Sequence, residues 1–405
     1  MMRLLLLPMM LAAAVGAQAQ IRLPSLPGLP LPGAAQTLVP PTPLDLASER
    51  RLKQVRHLIR ENRKLIEADP NGEPIVRGEI LASRVSGEAR TQLQARGFVV
   101  ERERILAAAD IRLLVLNTPP GRGTHQALAE LRAADPDGLY DYNHIYLGSG
   151  RPAEPERNVG ATNATPGRPR IRVGLIDSGV DVAHPAFSES VVHAWGCGGT
   201  SRPAAHGTAV ASLLAARAIA EIYAADIYCG SPTGGSVEAL AAAFSWLVDE
   251  HVAVINVSLV GPKNGLLELV VRSLIEHGYL IVAAVGNDGP AAPPLYPAAY
   301  PDVVGVTGVD AHRRVLLEAE RGPQVTFAAL GADLGAADLK HGYAPVRGTS
   351  YAAPTVAALL AAAVSAPGRQ AALDAIEHLA QSAIHLGAPG RDLTYGFGLV
   401  GDEIR

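Results

Sequence analysis

Four residues of this chain have side chains suited to acyl transfer, and each stands in a distinctive local setting. Asp177 follows the apolar run Arg172-Val173-Gly174-Leu175-Ile176. His206 opens His206-Gly207-Thr208, with an alanine-rich stretch behind it. Ser350 lies in Gly348-Thr349-Ser350-Tyr351-Ala352-Ala353-Pro354, ahead of an apolar run from Thr355 to Val364. Asn287 lies in Gly286-Asn287-Asp288-Gly289, after the apolar run Leu280–Val285. A serine hydroxyl is a poor nucleophile at neutral pH, so an imidazole must take its proton. A carboxylate on the other ring nitrogen fixes the tautomer and steadies the imidazolium. An amide donor can then receive the oxyanion of the tetrahedral intermediate. Taken singly, each residue also has an ordinary reading. Asp-Ser-Gly and Asn-Asp-Gly are turn signals, a serine before a helix is an N-cap, and a lone histidine at a helix start is structural or merely exposed.

The elements around them decide between these readings. From Ile171 onward, apolar strands alternate with helices. Strands are expected at Ile171–Ile176, Val252–Val257, Leu280–Val285, Asp302–Val309 and Val325–Ala329. Helices are expected at His206–Ala220, Val237–Glu250, Leu266–His277, Thr355–Val364 and Arg369–Gln381. This alternation predicts an α/β fold, a doubly wound, mostly parallel sheet with helices on both faces. In such sheets the site lies at the carboxyl ends of the strands. Asp177 and Asn287 are at strand ends, and His206 and Ser350 are at helix starts, so all four converge on one edge. The run behind Ser350 is apolar all round, which marks a buried helix. Its N-terminal mouth carries unpaired N–H groups and partial positive charge, both suited to an oxyanion.

The 405 residues predict two or three domains. Residues 1–19 read as a secretory signal peptide: Met1-Met2-Arg3, an apolar stretch to Val15, and Ala17-Gln18-Ala19. That stretch is shorter than the roughly 20 residues a membrane span needs, so no stable membrane insertion is expected. An exported, periplasmic or extracellular protein follows. Residues 20–47 are a proline-rich tether. A basic helix is expected at Ser48–Glu67, its Arg and Lys forming a solvated face. Residues 73–147 then read strand Ile75–Ser83, helix Ser86–Arg96, strands Phe98–Ile105 and Ile111–Leu116, helix Thr124–Ala133 and strand Tyr140–Leu147. That βαββαβ order is ferredoxin-like. Residues 148–170 are a polar connector, exposed to proteolysis, and 171–405 form the last domain. The net charge of −4 argues against a nucleic-acid-binding surface. Two cysteines, Cys197 and Cys229, in an exported chain point to one disulfide, with two buried thiols as the alternative.

The combined motifs resemble the subtilisin-like serine proteases (subtilases). The resemblance rests on Asp177-Ser-Gly with His184-Pro185, His206-Gly-Thr, Ser258-Leu-Val-Gly, Ala284-Val-Gly-Asn287 and Gly348-Thr-Ser350-Tyr-Ala-Ala-Pro354, in the family's order. It extends through Tyr296-Pro297 and Tyr395-Gly396-Phe397-Gly398, over residues 171–400. It implies that Asp177 orients, His206 is base then acid, and Ser350 is the nucleophile. Asn287 and the Ser350 N–H would make the oxyanion hole. Ser258, Leu259, Val260 and Gly261 would pair with an extended polypeptide substrate. Ala283, Ala284, Val285 and Gly286 would wall the primary pocket. Residues 48–147 would be a propeptide, a folding aid and intramolecular inhibitor whose last strand enters the cleft, with autocleavage between about Tyr146 and Arg170. No cofactor is implied, and a monomer is expected.

Three departures stand out. Ala209 and Ser212 replace a His and a Gly usual in the family. The segment 215–228 lacks the Asn-rich insertion that binds calcium in many members, and no metal site is expected. Val260 stands where Gly is usual, at the pocket rim. The alternatives are a catalytically silent binding or chaperone-like protein on the same fold, and a nucleotide-binding domain. The latter lacks a phosphate-cradling G-x-G-x-x-G after the first strand.

Overall fold

In the computed structural model, residues 43–106, 110–152 and 171–402 are described. The signal peptide, the tether up to residue 42 and residues 153–170 of the connector lie outside them.

Seven strands form one sheet in which every pair of neighbours is parallel. Across it run Val325–Leu330, Val304–Val309, Leu280–Ala284, Val254–Val257, Arg172–Asp177, Glu221–Asp226 and Val191–Gly196. Alternate side chains serve opposite faces, as strand geometry requires. Leu175 and Val282 pack with Val210, Leu214, Val356 and Leu360, from helices Ala205–Ala215 and Thr349–Ala363. Ile176 and Ile281 face the other way, onto Leu240, Phe244, Leu267 and Val271 of helices Val237–Asp249 and Gly265–Glu276. Burial on both sides explains the near-continuous apolar runs of these strands. Chain order reverses between Arg172–Asp177 and Val254–Val257, and such a switch point opens a crevice at the strand ends.

Two of the seven strands, Val191–Gly196 and Glu221–Asp226, were not expected. The first alternates too weakly in burial to stand out. The second was partly hidden by the helix expected to run to Ala220. That helix ends at Ala215, Ala218 turns to φ 60°, and Glu221 pairs with Arg172.

Residues 74–148 follow the expected element order. Strands Pro74–Ser83, Val99–Leu106, Ile111–Asn117 and Leu139–Gly148 alternate with helices Gly87–Ala95 and Thr124–Ala134. The strands pair antiparallel, with the fourth, first, third and second side by side. Ser86 caps the first helix, accepting from Ala89 N at 3.1 Å. One sheet face packs Ile80, Leu114 and Leu116 against Leu93, Leu128 and Leu131 of its own helices. The opposite face, Leu81, Leu113 and Val115, joins the core beneath Val237–Asp249 and Gly265–Glu276.

Two boundaries differ from expectation at the start of this unit. The basic helix spans Pro43–Glu61, not Ser48–Glu67, so the end of the proline-rich stretch is helical. Proline suits a first helical turn because the N–H it lacks would be unpaired there. After a turn, Ile66–Ala68 forms a strand against Pro74–Val76. The connector also begins later than expected. Gly148 still belongs to a strand, and Arg151–Pro152 pair with Val346–Arg347.

Candidate active site

The switch point delivers Asp177 at the end of its strand, almost wholly buried. Its Oδ1 and Oδ2 accept from His206 Nδ1 at 2.8 and 3.0 Å. Ser178 N donates to Oδ1 at 2.7 Å and Ser178 Oγ at 3.1 Å. Ser178 Oγ in turn accepts from Gly207 N at 2.9 Å, tying the His206 helix to the Asp177 turn. Bonded at Nδ1, the ring presents Nε2 outward. That atom is buried and has no hydrogen-bond partner among the described residues. Ser178, part of a turn signal in the sequence, is a second tie for the carboxylate.

Ser350 lies in the first turn of helix Thr349–Ala363, which begins six residues before the expected start. Gly348, at φ 143°, is the N-cap, so Ser350 does not cap the helix itself. Pro354 inside the helix has no N–H to offer the Ser350 carbonyl. Ser258 fills that gap, its Oγ donating to Ser350 O at 2.9 Å while accepting from Asn256 Nδ2 at 2.9 Å. Ser350 Oγ answers by donating to Ser258 O at 2.9 Å. The proline of the Ser-Tyr-Ala-Ala-Pro motif thus ties the helix mouth to the end of strand Val254–Val257.

A segment of the N-terminal unit fills the crevice. Strand Leu139–Gly148 runs antiparallel to Leu259–Val260, pairing Gly148 with Leu259 and Leu147 with Val260. On its other edge it pairs with Gly235–Ser236. Tyr146 is fully buried against Gly261, and its hydroxyl donates to Pro262 O at 2.6 Å. A Cβ on Gly148 would lie 3.1–3.3 Å from three atoms of the His206 ring. Ser149 follows, and its Oγ is 2.5 Å from Ser350 Oγ. Because Ser350 Oγ donates to Ser258 O, Ser149 is the donor in that contact. Gly150 then passes close to the Tyr351 ring.

Asn287 stands opposite. Its Oδ1 accepts from Thr349 N at 3.1 Å, which fixes the amide. Its Nδ2 is buried and without a hydrogen-bond partner among the described residues. A Cβ on Gly348 would be 3.2 Å from that nitrogen and 2.9 Å from the Ser149 carbonyl oxygen. An unpaired buried amide is disfavoured by about 1–3 kcal/mol. Here the orphaned donor and the Ser149 carbonyl oxygen both lie against Gly348.

Behind this loop lies an acidic pair that no sequence motif marks. Glu320 is fully buried; its Oε2 accepts from Leu295 N at 3.2 Å, and its Oε1 has no hydrogen-bond partner among the described residues. Burial first, then the charge of Asp288, pushes Glu320 up to about 9. Burial likewise raises Asp288, to about 6. Arg51 reaches them from the N-terminal helix, its Nε 3.5 Å from Asp288 Oδ2. Its terminal nitrogens fork onto Glu73 at 2.9 and 2.6 Å. In sequence, Glu318-Ala319-Glu320-Arg321 looks like a solvated charged run.

The other expected residues also have definite places. Ala283, Ala284, Val285 and Gly286 are buried at the end of strand Leu280–Ala284, with Gly286 against Glu320 and Leu295. Val260 is buried beside Leu147. Cys197 and Cys229 have their sulfurs at bonding distance, with Cα atoms 5.1 Å apart. They flank Asp226, whose Oδ1 accepts from Tyr228 N and Cys229 N and whose Oδ2 accepts from Arg202 N.

Comparison with known proteins agrees with this geometry. The family model for the subtilase family matches residues 169–398. Minor extracellular protease Epr of Bacillus subtilis (strain 168) is 30% identical over 206 residues, 48% of this chain and 32% of that protein. Subtilisin amylosacchariticus of Bacillus subtilis subsp. amylosacchariticus is 27% identical over 252 residues, 57% of this chain and 64% of its own length. The chain therefore spans from 32% to 64% of the length of these curated relatives. The solved structure of fervidolysin from Fervidobacterium pennivorans, a keratinolytic enzyme related to subtilisin, shares the fold. It gives a TM-score of 0.67 at 19% identity, over 84% of this chain and 62% of that one. An aspartate, a histidine and a serine brought together in that chain order at one sheet edge, with the family's motif around each and a family match over more than half the chain, lead to one conclusion: the chain belongs to the subtilase family.

Proposed function

We propose that this protein is an exported serine endopeptidase made as a zymogen, with residues 48–149 as its inhibitory propeptide. The observation that carries the proposal is the course of Leu139–Gly148, which enters the crevice as an added strand and ends with Ser149 on Ser350. Backbone pairing of this kind is how an extended peptide is held for recognition. The register supports Ser149–Gly150 as the processing bond, with Gly148 over His206, Ser149 at Ser350 and Gly150 toward Tyr351. That bond lies within the interval expected from the sequence.

In the reaction, Ser350 Oγ turns from Ser258 O toward His206 Nε2, which takes its proton as Oγ bonds to the Ser149 carbonyl carbon. The carbonyl electron pair moves to oxygen, where Asn287 Nδ2 and the Ser350 N–H donate to it. Collapse breaks the C–N bond, and His206 returns the proton to the Gly150 nitrogen. Water, deprotonated by His206, then releases the acyl group, and the proton ends on Ser350 Oγ. Polypeptide substrates take the same course once the propeptide has left.

One observation favours a catalytically silent protein: Ser350 is not on His206. A nucleophile turned aside by an occupying strand accounts for that without loss of function. A fluorophosphonate probe tests the point. Mature protein is expected to label at Ser350, and Ser350→Ala to accumulate as unlabelled precursor. A mature wild type that does not label would favour the silent reading.

A further inference from the structure

We infer that Asp288 and Glu320 form the acidic floor of the pocket for the residue before the cut bond, and that the mature protein selects arginine or lysine there. This rests on the protease reading above and adds a substrate class to it.

The argument begins with Gly286, part of the expected pocket wall. A Cβ added there would lie 2.5 Å from Glu320 Oε1 and 3.0 Å from Leu295 Cδ1, so that carboxyl oxygen packs directly behind the backbone of the wall. Oε1 has no hydrogen-bond partner among the described residues although Glu320 is fully buried. Asp288 follows the oxyanion asparagine directly and is itself largely covered, its side chain 16% exposed. Buried carboxyls are rarely kept without a cation to meet them.

In the precursor that cation is Arg51, with only 11% of its side chain exposed and its charge acting on both acids. Ser149, at the position before the proposed cut, brings no more than a hydroxymethyl group, and that group is engaged by Ser350. The guanidinium against the acids thus comes from elsewhere in the propeptide. Arg51 is bound in turn to Glu73, also upstream of residue 149. When the propeptide leaves, Arg51 and Glu73 leave together. Two carboxyls then remain with their cation removed, at the wall where a substrate side chain enters. Guanidinium suits such a pair through its fork of donors, and an ammonium suits it as a point charge.

The test uses mature full-length-derived enzyme and fluorogenic peptides that differ only in Arg, Lys, Leu or Phe before the cut. Wild type is expected to give kcat/KM for Arg at least about tenfold above Leu. In Asp288→Asn the Arg-to-Leu ratio is expected to fall about 10²-fold, the size of a lost buried charge pairing, and in Glu320→Gln, where a protonated carboxyl is replaced, about threefold. Benzamidine, an amidinium, is expected to inhibit wild type competitively, a readout independent of whether either variant folds. Preference for Leu or Phe, an unmoved ratio in both variants, or no inhibition by benzamidine overturns the inference. Any of these with Ser350 labelled leaves the protease reading standing and makes the acidic pair a docking contact for Arg51. Absence of both labelling and cleavage overturns the two together.

Discussion

Gly148→Val tests the proposed register in a residue upstream of the proposed cut. A Cβ at this position would already sit 3.1, 3.2 and 3.3 Å from His206 Cδ2, Nε2 and Cε1. Alanine therefore asks the ring or the strand to give by a few tenths of an ångström, a strain of about 1 kcal/mol by the scale of core overpacking. Valine carries its methyls about 1.5 Å further, one C–C bond length. They meet the imidazole face on, and the ring is held by two bonds to Asp177. The strand must then lift by about 1 Å, and misplacement of that size lowers a rate by about 10²-fold. Processing, followed as conversion of precursor to mature protein on a gel, should slow several-fold in Gly148→Ala and about 10²-fold in Gly148→Val. Mature enzyme that does emerge should match wild type in kcat and N-terminus. Unchanged processing of Gly148→Val at the same bond would refute the placement of Gly148 over His206.

Other substitutions probe separate parts of the site. Asn287→Ala should lower kcat by about 10²–10³, a magnitude carried over from a subtilisin asparagine in the same role. Its stability should change by only about 1 kcal/mol, since Oδ1 has one protein bond to lose and Nδ2 has none. Thermal melts of the purified variant separate the two effects. Glu320 offers a pH signature. Its folded pKa, about 9, lies above the ordinary 4.5, so the folded chain keeps a proton that the unfolded chain releases. Stability from this group is full below about pH 4.5 and is lost as pH rises toward about 9. Wild-type Tm should therefore fall relative to Glu320→Gln between about pH 5 and pH 9, and a constant offset would contradict the buried acid. Replacing both Cys197 and Cys229 by serine should lower stability by about 3–4 kcal/mol in the chain-entropy model, for a separation of 32 residues. Denaturant unfolding under non-reducing conditions measures the loss.

What could be read in the sequence follows from range. The strand runs were legible because burial on both faces makes them continuously apolar, and strands such as Val254–Val257 could hide nowhere else. Asp177, His206, Asn287 and Ser350 were legible because each sits at the end of an element with local punctuation around it. The start of the Ser350 helix was misjudged for a physical reason. Pro354 looks like a boundary, and only the Ser258 hydroxyl, 92 residues away, makes it tolerable inside the helix. Glu221–Asp226 escaped because the alanine-rich run before it carries no helix-stop residue; the break at Ala218 is set by pairing with Ile171 and Arg172. Ser149, Arg51 and Glu320 were invisible. Each owes its surroundings to contacts more than 20 residues distant, and no spacing announces them.

Under the proposed function, the contacts of residues 74–148 predict that one cut would not release activity. Its grip extends well beyond the crevice. Asp141 Oδ2 accepts from Gly265 N at 2.7 Å, and Asn143 Oδ1 accepts from Glu238 N at 3.2 Å. Two helices, Gly265–Glu276 and Val237–Asp249, thus have N-terminal donors satisfied by neighbouring residues of one strand. The carboxylate also meets the positive end of a helix dipole. Arg102 and Arg104 reach Glu238, and Leu81, Leu113 and Val115 lie in the shared core. A chain cut between Ser149 and Gly150 keeps every one of these bonds, along with the strand pairing to Leu259–Val260. Under the proposed function, cleavage at that bond would change connectivity and leave the interface intact, so the freed unit would stay in the crevice as an inhibitor. Activity would then wait on loss of the whole unit, by its own unfolding or by a second cut within it. The charged bonds at Gly265 and Glu238 are the contacts whose removal should shorten that wait.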